Sequence, residues 1–298
     1  STLFPYTTLF RSRSWNNPSV TAYSYDTFSA CGETKSPSVT VSQSGTRTWG
    51  CSAGTDNISN STFSYSYSMT TGNGFSINTS TGKITAEARG KSTSSRTSNT
   101  ATVTVTGAGS KTGTKTTTTT QNGNTYSDAW NNPSISAYSY SNIGAGGGTS
   151  SPSITASQTG VRTWGCEAGT DTLSNSSFTY SYSMTTGNGF SINTSTGVIT
   201  ADNRGTTPGS ARTSNTATVT VTGNSKSGTK TTTCTQNANA LSSITFTVNS
   251  NSISYQGSTT GTVTATYTSG SSKNVSNDTN TTYTDSADPD KVSFTKNS

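Results

Sequence analysis

Tyr65–Gly82 reads YSYSMTTGNGFSINTSTG, and the same eighteen residues return unchanged at Tyr180–Gly197. Phe63, Tyr65, Tyr67 and Met69 alternate with Ser64, Ser66 and Ser68. A period of two sends large side chains to one face of a strand and hydroxyls to the other. Thr71-Gly72-Asn73-Gly74 follows as a turn, because Gly and Asn accept positive φ cheaply. Phe75 and Ile77 resume the alternation. Thr81-Gly82 turns the chain again, and Ile84-Thr85-Ala86 opens another strand.

Outward from this phrase the chain repeats as a whole. Trp15-Asn16-Asn17-Pro18 returns as Trp130-Asn131-Asn132-Pro133, an offset of 115 residues (130 − 15). Trp49 and Trp164, Met69 and Met184, and Gln121-Asn122 and Gln236-Asn237 keep the same offset. A repeat this long is a tandem domain rather than a solenoid unit. A Pro-Gly insertion in 206–210 and a deletion after Gly223 shift the offset briefly, so both places are expected in exposed loops. In the first repeat, alternation predicts strands at 20–25, 38–41, 46–51, 62–69, 74–77, 83–86, 100–106 and a Thr-only edge strand at 115–120. The second predicts strands at 134–140, 153–157, 161–166, 177–184, 189–192, 198–201, 216–222 and 230–235. Short strands spaced by turn signals are the pattern of an all-β immunoglobulin-like sandwich. No stretch shows a helical period. Gly144 and Gly146–148 read as a flexible hairpin tip.

Two complete repeats, 13–122 and 128–237, are followed by a third, truncated domain at 241–298. Linkers are expected at Gln121–Asp128 and Asn237–Leu241. Residues 1–12, STLFPYTTLFRS, do not resemble 116–127 as the offset requires. They look like a translated sequencing-adapter run and are set aside as a non-native leader.

Of 298 residues, 26% are hydrophobic and 10% charged. Both fractions are low for a globular chain, but the net charge of +6 is too small to force disorder by self-repulsion. A thin sandwich needs one apolar face per strand, and Thr suits the other. The basic excess is dispersed, whereas nucleic-acid binding wants a clustered stripe. No apolar run is long enough to span a membrane.

The phrases GFSINTSTGKITAEARG (74–90) and GFSINTSTGVITADNRG (189–205), each followed by SNTATVTVTG, resemble bacterial immunoglobulin-like domains of group 2. The strands 244–248 and 262–267, with Tyr283 onward, resemble the first half of such a domain. The likeness covers most of 60–107, 175–223 and 241–298; the Trp-Gly-Cys strands depart from it. It implies a non-catalytic module displayed outside the cell, on a bacterial surface or a phage virion. Cell-surface glycans or other virion and surface proteins would be its partners. A rod-like structural or adhesion element, a carbohydrate-binding adhesin and a spacer in a larger polysaccharide-acting enzyme all use such domains.

The chain has no histidine. That removes the commonest general base and zinc ligand, and no cofactor or metal site is expected. Asp56/Asp171 and Glu87/Asp202 are the carboxylates shared by both repeats. Asp56 is read as capping a turn in a polar loop, and Glu87 and Asp202 as solvated. Asp285, Asp288 and Asp290 cluster, with a calcium loop as the alternative to a solvated one. Of the four cysteines, Cys51 and Cys166 are equivalent while Cys31 and Cys234 have no counterparts. Free, partly buried thiols are favoured, with Cys31–Cys51 the bridge to expect if one forms.

The aromatic residues leave alternatives open. Trp49 and Trp164 share a strand face with Arg47 and Arg162. They are either core residues with the Arg stem beside them, or an exposed platform that stacks a sugar ring. Trp15 and Trp130 are either wedges between neighbouring domains or ligand platforms. Tyr23 and Tyr25, with Tyr138 and Tyr140, either join the core or form a wet patch.

Overall fold

A computed structural model describes residues 11–50, 54–284 and Thr295. In the first repeat the strands are β1 (Arg11–Trp15), β2 (Ser19–Ser24), β3 (Glu33–Lys35), β4 (Ser38–Trp49), β5 (Thr55–Asn60) and β6 (Ser64–Met69). They continue as β7 (Phe75–Ile77), β8 (Ile84–Ala86), β9 (Arg96–Thr97), β10 (Ala101–Thr106), β11 (Thr112–Thr117) and β12 (Thr120–Gln121). The second repeat opens with β13 (Tyr126–Trp130), β14 (Ser134–Tyr140), β15 (Gly148–Ser150), β16 (Pro152–Trp164), β17 (Thr170–Asn175) and β18 (Thr179–Met184). It closes with β19 (Phe190–Ile192), β20 (Ile199–Ala201), β21 (Arg212–Thr213), β22 (Ala217–Gly223), β23 (Lys226–Thr232) and β24 (Thr235–Gln236). The third part has β25 (Leu241–Val248), β26 (Gly261–Tyr267) and β27 (Ser272–Asn274). The only helical turn among the described residues is a short 3-10 segment at Ala108–Ser110.

The chain divides into two compact units. One holds Ser1–Asp128 together with Val161–Asp171, the end of the β16–β17 hairpin. In it β11-β10-β6 and β3-β8-β7 form antiparallel sheets, and β4 pairs with β2, β1 and β5. The core is made by alternate residues pointing inward: Ala101, Val103 and Val105 of β10, Ile84 and Ala86 of β8, Phe75 of β7 and Tyr23 of β2. On β10 and β8 every second side chain is buried, the signature of a half-buried strand. Gly82 turns the chain between β7 and β8 at φ +68°, and the Tyr67 ring lies where a Cβ would stand.

The other unit holds Ala129–Gly160 and Thr172–Ser298. Its first core repeats the same list: Tyr138, Phe190, Ile199, Ala201, Ala217, Val219 and Val221. Here Cys234 takes the place of Thr119 and is a buried free thiol. A smaller cluster of Val263, Ala265 and Val275 lies under the β25-β26-β27 sheet. The chain is therefore all-β, a tandem of immunoglobulin-like sandwiches.

Several expectations need correction. The strands foreseen at 38–41 and 46–51 are one continuous strand, β4, with equivalents in β16. Between the two foreseen ranges, at 42–45, Gln43 keeps the strand going by serving as a buried hydrogen-bond hub. Its amide donates to Asn16 O (2.8 Å) and Ala108 O (3.0 Å) and its oxygen accepts from Asn60 Nδ2 (2.9 Å). Gln158 does the same in the second repeat. The loop expected around Asp56 is strand β5. The edge strand foreseen at 115–120 runs Thr112–Thr117, at a sheet edge as expected but three residues earlier. Arg11 and Ser12, set aside with the leader, pair with Trp49 and Thr48 in β1; residues 1–10 lie outside the described residues.

The expected linkers are anchored. Gln121 and Gln236 are fully buried, and Asn124 and Asn239 nearly so. Gln121 accepts from Arg96 Nε (2.7 Å) and donates to Ser29 O and Glu87 O (both 2.8 Å), so the segment after β12 starts from a satisfied polar plug. The Gly144–Gly148 stretch is likewise held: Ile143 and Ala145 are buried, and Ile143 bonds the backbone of Thr235 and Asn237.

Candidate functional site

Beyond Gln43 the long strand leaves the hydrophobic core, and none of Gly45–Trp49 belongs to it. It continues instead between β1 and β5 as a three-stranded extension. The register sets Arg13 opposite Arg47, Arg47 opposite Asp56, Arg11 opposite Trp49 and Trp15 opposite Gly45. Period-two alternation places Arg11, Arg13, Trp15, Arg47, Trp49, Asp56 and Ile58 on one outer face. Glycine at 45 seats Trp15: a Cβ there would lie 2.8 Å from the indole Cε3 and 2.5 Å from Ser14 O.

This face is open and cationic. Three arginines meet one carboxylate, and that carboxylate is engaged: Trp49 Nε1 donates to Asp56 Oδ2 at 2.9 Å. The Arg11 and Arg47 guanidinium carbons stand 4.7 and 5.5 Å from the Trp49 ring centre, in the cation–π range. Trp15, Arg47 and Trp49 are half-buried and Arg11 and Arg13 exposed. The Nε of Arg47 is buried and has no hydrogen-bond partner among the described residues. Arg13, Trp15, Arg47, Ile58, Ser59, Asn60, Ala108 and Gly109 line a concavity of about 540 Å³.

The equivalent face of the second repeat is closed. Asp128 stands where the first repeat has Arg13, and takes two hydrogen bonds from Arg162: Nε to Oδ1 at 2.8 Å and Nη2 to Oδ2 at 2.9 Å. Tyr126 stands where the first has Arg11. Arg162 lies 3.8 Å from its ring centre, and the Tyr126 and Trp164 rings meet edge-on at 5.3 Å. Trp164 is 9% exposed and donates to Asp171 Oδ2 at 2.8 Å. Lys91 pairs with Asp171. The Arg162 guanidinium holds the Asp128 carboxyl below its ordinary range, and Asp128 in turn pushes Arg162 up. Lys91, then the Trp164 indole, hold Asp171 down.

Of the foreseen ligand-stacking residues, Trp15, Arg47 and Trp49 come together on the first face and Arg162 and Trp164 on the second. Trp130 packs over Gly160, as Trp15 packs over Gly45. Neither Trp49 nor Trp164 belongs to the hydrophobic cluster of its sandwich, yet Trp164 is buried with Arg162 beside it while Trp49 is half-buried. Trp164, covered by Tyr126, is a poor platform. Asp56 and Asp171 accept indole N–H bonds rather than capping turns. Glu87 and Asp202 are exposed as expected, while their backbone carbonyls accept from Arg96 and Arg212. Tyr23 and Tyr138 join the core. Their neighbours Tyr25 and Tyr140 bond them (3.0 and 2.9 Å) and donate to Gly82 O and Gly197 O. Burial pushes all four phenols up. Sequence reasoning missed Arg13 and Asp128 as partners of Arg47 and Arg162. The signal was present as a charge reversal at the repeat offset, Arg13 to Asp128.

Cys31 is bridged to Cys166, with Cα atoms 4.7 Å apart and 135 residues between them in sequence. This corrects the expectation of free thiols at Cys31 and Cys166 and of a Cys31–Cys51 bridge, whereas Cys234 is a buried free thiol as foreseen. Cys51 lies outside the described residues, as do Asp285, Asp288 and Asp290. Cys51 and Cys166 are equivalent while Cys31 and Cys234 have no counterparts, which argued against a bridge common to both repeats. Instead the second hairpin's tip lies in the same unit as Cys31. Disulfides persist in oxidising, extracytoplasmic settings. Among the described residues no group of acidic or cysteine side chains is placed to hold a metal ion, and no helix is long and apolar enough to cross a membrane.

No family model and no curated protein matches this chain. Among solved structures it is similar to mouse cadherin-23 EC22-24, at 14% identity over 87% of this chain and 97% of that one, TM-score 0.24. It is also similar to the titin domains z1z2 in complex with telethonin, at 12% identity over 74% and 96%, TM-score 0.20. A third is the human desmocollin-1 ectodomain, at 10% identity over 87% and 78%, TM-score 0.23. Similarity at this level carries no functional argument.

Proposed function

We propose that this chain is a non-catalytic structural and adhesion module displayed on a bacterial surface or a phage virion, built from immunoglobulin-like domains of the bacterial group 2 kind. The observation that supports it is how the scaffold occupies its polar side chains. Asp56 and Asp171 hold indoles, Arg96 and Arg212 hold backbone carbonyls, and Asp128 holds Arg162. A glycosidase needs two carboxylates flanking one bond, and the carboxylates shared by both repeats are split between an indole acceptor and an exposed strand end. The test is a reducing-end assay on a panel of bacterial and plant polysaccharides. No release is expected; release that disappears in Glu87→Gln would overturn the reading.

A second reading, a carbohydrate-binding adhesin, is favoured by the open face of Arg13, Trp15, Arg47 and Trp49. Trp15→Ala is then expected to abolish binding on a glycan array while the β-sheet circular dichroism is retained. Unchanged binding would remove Trp15 from the role.

A further inference from the structure

From the contrast between the two faces we infer that the Arg13–Arg47 pair of the first repeat is a carboxylate-binding site for an acidic, uronic-acid-bearing saccharide. The inference rests on the adhesin reading of that face and names its ligand chemistry.

The two repeats supply the argument. At one cross-strand position the second repeat carries Asp128 against Arg162, and the carboxylate fits the guanidinium fork with two bonds. That is the geometry in which Arg recognises carboxylates best. The first repeat keeps the arginine and replaces the aspartate with a second arginine. Like charges directly opposite across an antiparallel pair are destabilising, so the substitution costs the fold and removes the anion that Arg47 would otherwise hold. The Arg47 Nε, whose counterpart in Arg162 donates to Asp128, is left buried and unpaired among the described residues. A buried donor without a partner is itself unfavourable. The missing species is therefore a carboxylate; arriving from outside the chain it meets the half-buried Arg47 and the exposed Arg13, which both line the concavity, while the Arg47 Nε itself lies out of reach of solvent.

The rest of the concavity selects the body that carries the carboxylate. Beside the arginines lie the half-buried Trp15 ring, Ile58 and the exposed Ser59. A pyranose offers one apolar C–H face to an aromatic ring and a rim of hydroxyls to polar neighbours. The site is open, so exchange is fast and each contact modest. Binding is strongest at low ionic strength, because exposed charges are screened within about 10 Å in 0.1 M salt.

The experiment is isothermal titration of the full chain with an oligogalacturonide and with its methyl ester, which keeps the ring and removes the charge. The acid form is expected to bind, and the ester at least about tenfold more weakly. Arg13→Asp recreates the pair of the second repeat and fills the fork from within. It is expected to fold, to melt higher than the parent and to lose oligogalacturonide binding. Equal binding of acid and ester, indifferent to Arg13→Asp, would overturn the inference while leaving a saccharide-binding face. No saccharide bound by the parent would overturn both. Binding of an acidic peptide but not the oligouronide, lost in Arg13→Asp, would overturn the saccharide assignment.

Discussion

The β1-β4-β5 face of the first repeat and its counterpart in the second share an arginine, a tryptophan and an aspartate on its indole. Their charges differ at two positions. Arg11 and Arg13 of the first become Tyr126 and Asp128 of the second. With those exchanges a face of three cations and one carboxylate becomes one of a single arginine and two carboxylates, and Lys91 of the first repeat pairs with the second of these, Asp171. Trp164 disappears under Tyr126, while Trp49 remains half-exposed beneath two guanidinium groups. A repeated scaffold thus holds one face as a self-satisfied surface and the other with unmet valence. Two side chains make the difference, and neither touches the hydrophobic core.

The comparison requires that the cores really are equivalent. Ile84 and Ile199 are both fully buried at matching places. Ile84→Ala and Ile199→Ala are each expected to cost about 2–5 kcal/mol, by transfer and cavity terms together, in chemical denaturation. A cost confined to one repeat would break the equivalence.

The next effect concerns the hairpin tip. Removing the Cys31–Cys166 bridge by Cys166→Ser is expected to destabilise its unit by about 2–4 kcal/mol, since a long closed loop is freed in the unfolded chain. Non-reducing peptide mapping should recover Cys31 joined to Cys166 and Cys234 as a thiol. A Cys31–Cys51 peptide would refute the pairing.

The tryptophans give a smaller and sharper contrast. Trp164→Ala should cost about 2–3 kcal/mol, in keeping with a nearly buried aromatic ring, and Trp49→Ala about 1 kcal/mol less. Acrylamide should quench Trp49 fluorescence more than Trp164 in single-tryptophan variants. The reverse order would mean that Tyr126 does not cover its neighbour.

The smallest effect is electrostatic. Asp128 and Asp171 hold their protons more weakly in the folded chain than an ordinary carboxyl does. Above about pH 4 the unfolded carboxyls are already ionised, and the pairs contribute fully. As the pH falls through the depressed folded values, the contribution is lost. Asp128→Asn should therefore lower the melting temperature at neutral pH and flatten its fall in acid. An acid limb unchanged from the parent would assign the loss to other carboxyls.

Much of the fold was legible because its periods are local. Alternation in 101–106 and 84–86, and the Thr-Gly turn at Gly82, follow from which residues tolerate which φ and which face meets water. The duplicated offset carried the strand pattern of the first repeat over to the second. The continuity of β4 was not legible: at 42–45 the strand is held by the Gln43 amide, which bonds Asn16, Ala108 and Asn60. Strand β5 was hidden for the same reason, since Thr-Asp-Asn-Ile-Ser-Asn has little apolar alternation and is held by pairing with β4.

By itself the sequence determined two copies of a slim all-β unit, its turns and its alternating cores, because those depend on neighbours a few residues apart. Only the tertiary structure decided that Arg47 faces Arg13 while Arg162 faces Asp128, and that Cys31 meets Cys166. Pairs like these are set by strand register across distant segments, and a guanidinium's partner is whichever charge that register brings opposite it.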